Sequence, residues 1–290
     1  MQGARCKVRV IRKRFGQHFL EPAWVDKVIR AIDPKSDETF IEIGPGAGAL
    51  TRPLAARAKA VTAYEIDRDL AAALEATAPP NLTVVEGDFL RLTTNDRLTT
   101  NDSVLSTIDS RLPSFIRVAG NLPYNVASPI LFKLVELHAA GLPIGDAVLM
   151  LQREVADRLI AGPGSREYGV LSILIGHSAS VEMILKLPAG AFRPSPKVLS
   201  ALVRLRFHAP DPPVRDGVAF AGLVQAVFTR RRKTLANALL AFPPAVAATP
   251  ARMLRDADID GARRPEMLSI AEFVRLADTL RPIGTRPRSD

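Results

Sequence analysis

The feature that most constrains this chain is an alternation filling its first two-thirds. Short apolar runs, TFIEI (39–43), AVTAYE (60–65), LTVVE (82–86), FIRVAG (115–120) and DAVLMLQ (146–152), are separated by stretches of helical pattern around 48–58, 67–76 and 128–138. Strand–helix alternation of this kind winds into a mainly parallel sheet with helices on both faces. Ser128 and Pro129 offer the last of these helices an N-cap and a first-turn proline. VEMILKLP (181–188) and VLSALVRLRF (198–207) have hairpin-like spacing and predict an antiparallel edge.

HAPDPPVRDG (208–217) reads as a linker, because its prolines block both a helix and a central strand. Beyond it Phe220, Leu223, Val224, Val227 and Phe228 recur at three-and-four spacing, and Ser269 with Glu272 forms a capping-box pattern ahead of Phe273 and Leu276. The expected organisation is an N-terminal arm over 1–20, an α/β domain over 21–208 and a small all-α domain over 209–290. RLTTND occurs twice in succession, at 91–96 and 97–102. A perfect duplication of polar, turn-forming residues reads as a tolerated loop insertion.

Charge is unevenly spread. The net charge is +9, and residues 1–20 hold six basic side chains (Arg5, Lys7, Arg9, Arg12, Lys13, Arg14) with no acid. Residues 209–290 add thirteen basic and nine acidic side chains, which leaves the long middle at a net −1. A basic arm and a basic tail flanking a nearly neutral body suit a polyanion held across the mouth of a catalytic domain. No apolar run approaches the roughly 20 residues that span a bilayer, so no membrane association is expected. Cys6 is the sole cysteine, which excludes an internal disulfide and fits a reducing cytoplasm. His18, His138, His177 and His208 lack ligand spacing, and no metal site is assigned.

Four successive strand ends carry polar groups. EIGPGAGAL (42–50) places Gly44, Gly46 and Gly48 after the first strand. Glycine there lets the backbone turn tightly and approach a ligand, while a following helix presents unpaired amides. The G-x-G-x-G spacing departs from the G-x-G-x-x-G dinucleotide fingerprint, which tells against a nicotinamide dinucleotide. Taken singly, such a turn serves packing as readily as nucleotide binding. Glu65 ends the second strand, where an acid can accept from both ribose hydroxyls of an adenosine; Asp67 is better placed as a helix N-terminal acid. Asp88 follows the third strand in EGDFL, where a carboxylate can accept from an adenine amino group, although alone it reads as an ordinary turn aspartate. AGNLPYN (119–125) follows the fourth. Ligands of such sheets bind outside the carboxyl ends of the strands, so the four groups open on one crevice. Glycine loop, ribose acid and adenine acid together describe a site for S-adenosylmethionine.

The NLPY turn suits a flat, amino-bearing substrate. An adenine amino group is a poor nucleophile because its lone pair is delocalised into the ring. Asn121 Oδ1 and a backbone carbonyl of the Leu122–Pro123 turn can accept its two N–H bonds, and proline fixes the turn. These bonds favour a pyramidal nitrogen whose lone pair faces the sulfonium methyl. Tyr124 would stack on the base, a contact worth roughly 1–3 kcal/mol; the ring alone should then suffice, so Tyr124→Phe is expected to be mild. A paired base must first be flipped out.

These motifs resemble the ribosomal RNA adenine dimethyltransferases, and most of all their bacterial small-subunit branch. The resemblance runs from about Arg12 to Ala277 through KRFGQHFL (13–20), EIGPGAGALT (42–51), YEID (64–67), GNLPYN (120–125), LQREVADRL (151–159), EYGVLS (167–172), FRPSPKVLSALVRL (192–205), RRKTLANAL (231–239) and RPEMLS (264–269). It implies a Rossmann-like S-adenosylmethionine-dependent methyltransferase domain with a small all-α C-terminal domain. It also implies that His18 and Leu20 line the donor site with Gly44, Glu65, Asp88 and Asn121, and that Asn121, Leu122, Pro123 and Tyr124 form the catalytic turn. His18 stands where the family usually has asparagine, and Ser195 where proline is common. Arg230, Arg231, Arg232 and Lys233 read alone as a solvated helix face and, by the resemblance, as a phosphate-binding cluster. The implied substrate is a pair of adjacent adenosines in a hairpin loop near the 3′ end of 16S rRNA in the small (30S) ribosomal subunit, dimethylated by a monomeric, cytoplasmic enzyme. Two alternatives share these motifs: a 23S rRNA adenine methyltransferase of the macrolide-resistance type, and a non-catalytic ribosome-assembly or transcription factor. The NLPY turn and the RRKTL and RPEMLS blocks favour the first reading. Trp24 reads as a core residue rather than a stacking platform.

Overall fold

The computed structural model describes residues 19–93, 115–242 and 249–280. The arm before Phe19, including His18, and the duplicated hexapeptide from Thr94 onward lie outside them. Five parallel strands form the body of the main sheet: β2 (Thr39–Ile43), β3 (Ala60–Glu65), β4 (Leu82–Glu86), β5 (Ile116–Asn121) and β6 (Ile144–Gln152). Two antiparallel strands, β7 (Ala179–Leu187) and β9 (Ser200–Phe207), complete it in the order β4-β3-β2-β5-β6-β9-β7. A separate pair joins β1 (Phe19–Leu20) to β8 (Phe192–Arg193). The α/β architecture and antiparallel edge expected from the sequence are present. β7 and β9 pair antiparallel as the hairpin-like spacing predicts, and the pair joins the sheet through its second strand, which lies between β6 and β7.

Strand periodicity sorts the core. Ile41, Ile43, Ile116, Val118, Ala147, Leu149 and Leu151 face one side, under α4 (Ala127–Ala139), which contributes Ile130, Leu131, Leu134 and Leu137. Phe40, Ala119, Val148 and Met150 face the other, under α1 (Pro22–Ile32) with Val28, Ile29 and Ile32. Burial on both faces explains why these strands read as continuous apolar runs. Trp24 is half-buried against the second of these cores, with Lys27 Nζ 4.1 Å from its ring centre.

Two helices depart from expectation. The pattern over 48–58 yields only α2 (Thr51–Ala55), because Gly48 has φ +84° and Pro53 brings no N–H to a helical bond. For α4 the N-cap is Val126 and not Ser128, and no side chain caps it; Val126 N–H donates to Pro123 O (3.1 Å), so the preceding turn itself starts the helix. By contrast, Asp67 caps α3 (Arg68–Glu75) through Asp69 and Leu70 N–H, as an N-terminal acid should.

A third core lies among α7 (Gly217–Phe228), α8 (Leu235–Leu239), α9 (Pro250–Asp256) and α10 (Ile270–Asp278). Tyr168 and two residues of α6 (Val170–Gly176), Ile173 and Leu174, join it from before the linker. The Tyr168 hydroxyl donates to Leu268 O at 2.9 Å. Ser269 and Glu272 form the expected capping box on α10. Residues 208–216 hold neither helix nor strand, yet Asp211 N–H donates to His177 O and His177 Nε2 meets Pro212 O at 2.7 Å.

At the amino ends of the strands sits a buried ionic knot. The Arg117 guanidinium pairs with Glu38 (2.7 Å) and Asp146 (2.7 Å) and donates to Ile32 O (2.8 Å). Arg204 donates to Ala31 O (2.7 Å) and lies 3.5 Å from Asp146. Two cations thus satisfy the last carbonyls of α1, where the helix dipole favours positive charge. Arg117→Met strips Glu38 and Asp146 of their main partner while leaving both carboxylates largely shielded, at 16% and 15% exposed. Urea denaturation should register a loss of about 3–5 kcal/mol; a change under 1 kcal/mol would mean that solvent reaches these acids.

Candidate active site

Parallel register sets the site. Ile43 is level with Tyr64 on one side and with Gly120 on the other, and Glu65 is level with Glu86. The residues that follow, Gly44, Ile66, Gly87 with Asp88, and the NLPY turn, therefore emerge side by side. They surround a cleft of about 290 Å³ that Leu20, Glu42, Glu65, Asn121 and Tyr124 also line. Gly120 permits the close fit: a Cβ there would stand 2.6 Å from Ile43 O. Any side chain at that position would push β5 from β2 and carry Asn121 with it.

The glycine loop has Gly44 at φ +69° and Gly46 at φ +57°, with Gly48 likewise left-handed, a run that side chains resist. Glu65 holds it in shape. Its Oε2 accepts from Gly46 N–H and its Oε1 from Asp67 N–H, both at 2.9 Å, while its residue is only 3% exposed. A carboxylate has about four acceptor positions, so both oxygens can still receive a hydroxyl from the cleft. Glu65 is thus a loop clamp with acceptor capacity left over toward the cleft. Asp88 also has two tasks: its Oδ1 accepts from Leu90 N–H (3.0 Å), the turn role considered for it, and the residue lines the cleft.

Ile66 was not singled out from the sequence, yet it is 56% exposed at the rim of the cleft. An exposed branched apolar side chain beside a strand-end carboxylate has the shape to cover one face of a flat ring. Its only sequence signal is an apolar residue between two acids just past a strand end, in YEID.

Within the NLPY turn the four residues separate by role. Leu122 is buried in the core (1% exposed), and its N–H donates to Met150 O at 3.2 Å. Its side chain is an anchor, and only its carbonyl can serve a substrate. Pro123 O is taken by Val126 N–H, so among the described residues Leu122 O is the carbonyl of this pair that no backbone donor takes. Asn121 ends β5, half-buried, and Tyr124 is half-buried with its hydroxyl on Ser200 Oγ. The glycine loop lies against this turn: a Cβ on Gly44 would be 3.8 Å from Asn121 O.

Glu42 is a second residue not singled out beforehand. It is 1% exposed, lines the cleft, and its Oε2 has no partner among the described residues. Burial pushes its carboxyl up to about 7, and the nearby Glu65 charge adds to the effect. The Thr51 hydroxyl opposes it from close by, without a well-formed hydrogen bond. Only tertiary burial distinguishes Glu42 from any other strand acid, which is why sequence pattern did not find it.

The basic cluster follows α7 in a turn and not on a helix face. Arg231 pairs with Glu266 (2.7 Å) and donates to Ser165 O (3.2 Å), whereas Arg230, Arg232 and Lys233 are exposed. Among the described residues no group of His, Cys, Asp and Glu is arranged to hold a metal, and no helix is long and apolar enough to cross a membrane.

Residues 8–276 match the family model described as ribosomal RNA adenine dimethylase. The chain belongs to that family. It is therefore an enzyme of the ribosomal RNA adenine dimethylases, with their Rossmann-like fold. Among curated members it is 42% identical over 280 residues to the ribosomal RNA small subunit methyltransferase A of Acinetobacter baylyi, covering 93% of each chain. It is 40% identical to the protein of that name from Salmonella typhimurium, again over 93% of each. Among solved structures it superposes on a dimethyladenosine transferase from Plasmodium falciparum with a TM-score of 0.68 at 26% identity, covering 89% of this chain and 96% of that one. The 23S rRNA methyltransferase ErmE gives a TM-score of 0.61 at 26% identity, covering 90% and 99%.

The buried carboxyl of Glu42 makes a pH dependence. Its native form holds a proton that the unfolded chain releases near pH 4.5, so its contribution is whole below that pH and is lost as pH climbs through about 7. Glu42→Gln abolishes the titration. Its stability relative to the parent should rise from pH 5 to pH 8 by roughly 2–4 kcal/mol, read by urea denaturation of ligand-free protein. A difference that stays flat across that range would show that Glu42 ionises normally.

Proposed function

We propose that this chain takes methyl groups from S-adenosylmethionine and places two on the N6 of each of two adjacent adenosines in a hairpin loop near the 3′ end of 16S rRNA. In this reading it acts as a monomer in the cytoplasm on the small (30S) subunit and contributes to ribosome biogenesis. The observation that carries it is the meeting of the Gly44 loop, Glu65, Asp88 and the Asn121–Tyr124 turn around one cleft. The cleft fits such a donor: left-handed glycines open one wall, Glu65 retains acceptor capacity, and the Glu42 oxygen lacks a partner among the described residues. Leu20 lines the same cleft, and by the family resemblance His18, outside the described residues, belongs with it to the donor side.

S-adenosylmethionine, when bound, supplies an electrophilic sulfonium methyl. The chain's own part is to hold the amino group. Asn121 Oδ1 and Leu122 O accept its N–H bonds and draw the nitrogen toward a pyramidal form, while Pro123 fixes the turn and Tyr124 stacks on the base. Nitrogen gains the methyl, the carbon–sulfur bond breaks toward sulfur, and the proton leaves for solvent afterwards. No nucleophilic side chain is required. Unmodified adenine offers two N–H bonds to this grip, the monomethylated base one and the dimethylated base none, so the reaction ends at two methyls.

The decisive experiment gives purified protein labelled S-adenosylmethionine with unmethylated 30S subunits, or with 23S rRNA, and maps the label by mass spectrometry. Label on two adjacent 16S adenosines supports the proposal; label on 23S favours the large-subunit reading; RNA binding without label favours a non-catalytic factor. In the same assay Asn121→Ala should lose about 10²–10³ in rate, with donor affinity falling less because Gly44, Glu65 and Asp88 remain. A parental rate of dimethylation in that variant would remove the proposed grip.

RNA binding rests on the exposed cations. Reversing Arg230, Arg232 and Lys233 to Glu, while sparing the Glu266 partner Arg231, should weaken RNA binding and flatten the slope of log affinity against log salt by roughly 2. Filter binding across a salt series reads both, with donor affinity unchanged. An unaltered slope would exclude this turn as a phosphate contact.

A further inference from the structure

Tyr124 and Ser200 lie 76 residues apart in sequence, yet the Tyr124 hydroxyl and Ser200 Oγ are 2.9 Å apart. Ser200 opens β9 and is 1% exposed. It is paired on both sides, with Gln152 of β6 and with Leu187 of β7, so its position belongs to the interior of a three-strand block. Tyr124 belongs to a different element, the turn that Leu122 anchors after β5. The ring is therefore held at both ends, by the turn's backbone and by a hydroxyl bond to the sheet.

We propose that Ser200 is a positioning residue that fixes the height and tilt of the Tyr124 ring for capture of the target base, an inference resting on the reading of Tyr124 as the base-stacking residue. A tyrosine side chain has two soft torsions, and a stack requires the ring to stand in one plane at one height. A hydroxyl bond to a rigid strand pins the outer end of the ring, which restrains the first torsion directly; where Tyr124 donates, the preference of a phenol O–H to lie in the ring plane biases the second. Neither covers the ring face, and Tyr124 stays half-exposed. Ser200 also meets the requirement that a supporting group sit on a rigid element and not on a loop. Its two predecessors, Val198 and Leu199, are 43% and 56% exposed, so the tether begins where the chain passes from open surface into the sheet. The proposal departs from the expectation that the ring alone suffices: on it, Tyr124→Phe keeps the stack's area and loses its alignment. Small misplacements at a reacting centre cost up to about a hundredfold in rate, and loss of one tether should cost about tenfold.

A double-mutant cycle tests the assignment on intact protein with 30S subunits. Ser200→Ala and Tyr124→Phe should each slow single-turnover methyl transfer about tenfold, and the double variant should be no slower than either. Donor affinity should be unchanged, and Ser200→Thr, which keeps the hydroxyl, should recover most of the rate. A buried serine that merely satisfies itself would lower the melting temperature and leave the transfer rate of the folded protein at the parental value. That result, or single effects that simply multiply in the double variant, overturns the proposal. If Ser200→Ala does not fold, Tyr124→Phe alone decides, because it breaks the same bond from the half-exposed side: a parental rate overturns the proposal. Tyr124→Ala separates this failure from failure of the underlying reading. If that variant transfers methyl at the parental rate, Tyr124 does not capture the base at all. If it is slow while Ser200→Ala and Tyr124→Phe are not, the stack stands and the tether falls.

Discussion

The parallel register of β3, β2 and β5 is the constraint from which the site follows. Because Ile43 is level with both Tyr64 and Gly120, three chain segments leave the sheet at the same height, and none can shift without moving the others. Gly120 shows how tightly this is drawn, since one extra carbon would collide with the carbonyl of Ile43. Glu65 then converts register into shape. By accepting from Gly46 and from Asp67 it ties the glycine loop to the neighbouring strand end, and the cleft between them becomes a property of the sheet.

The two ends of the strands handle buried charge in opposite ways. At the amino ends Arg117 and Arg204 are matched by Glu38 and Asp146 and by helix carbonyls. At the carboxyl ends Glu42 is buried with an oxygen that no described group satisfies, and its carboxyl is displaced far above its usual range. The amino-end ion pairs stabilise the fold even though Arg204 Nε, like Glu42 Oε2, has no hydrogen-bond partner among the described residues; of the two, only Glu42 lines the cleft, where a ligand can use it. Ligand sites at the carboxyl ends of such sheets follow the same division.

What could be read from sequence was whatever local pattern determines. TFIEI, AVTAYE and LTVVE are strands with the expected bounds because short apolar runs rich in β-branched residues and ended by turn residues have few other solutions, even at the edge, where LTVVE buries only Leu82. Ser269 and Glu272 cap α10 because a capping box is complete within four residues. The misses share a cause. Ser128 lost the cap of α4 to a turn whose geometry depends on Leu122 being anchored across the sheet. Arg117, Glu42 and Ser200 are ordinary letters until distant strands bury them. β9 slips between β6 and β7, an order that hairpin spacing cannot reveal. Motif residues at strand ends were legible, and the residues that hold them in place were not.

That difference bears on the chemistry of a reaction that repeats. In the proposed mechanism the hydrogen-bond grip of Asn121 and Leu122 weakens by one N–H with each methyl added, so it would both promote transfer and count it. Stacking has no such dependence, since the face of the base is unchanged by methylation at N6. As the grip fades, a growing share of the work of holding the base passes to Tyr124. A ring free to rock would then lose the monomethylated base at the stage where little else retains it. A turn that supplies acceptors for the first transfer therefore also needs a rigid aromatic for the second. On the proposed reading, the hydroxyl bond to β9 supplies that rigidity from an interior strand, beyond the reach of the substrate's own movements.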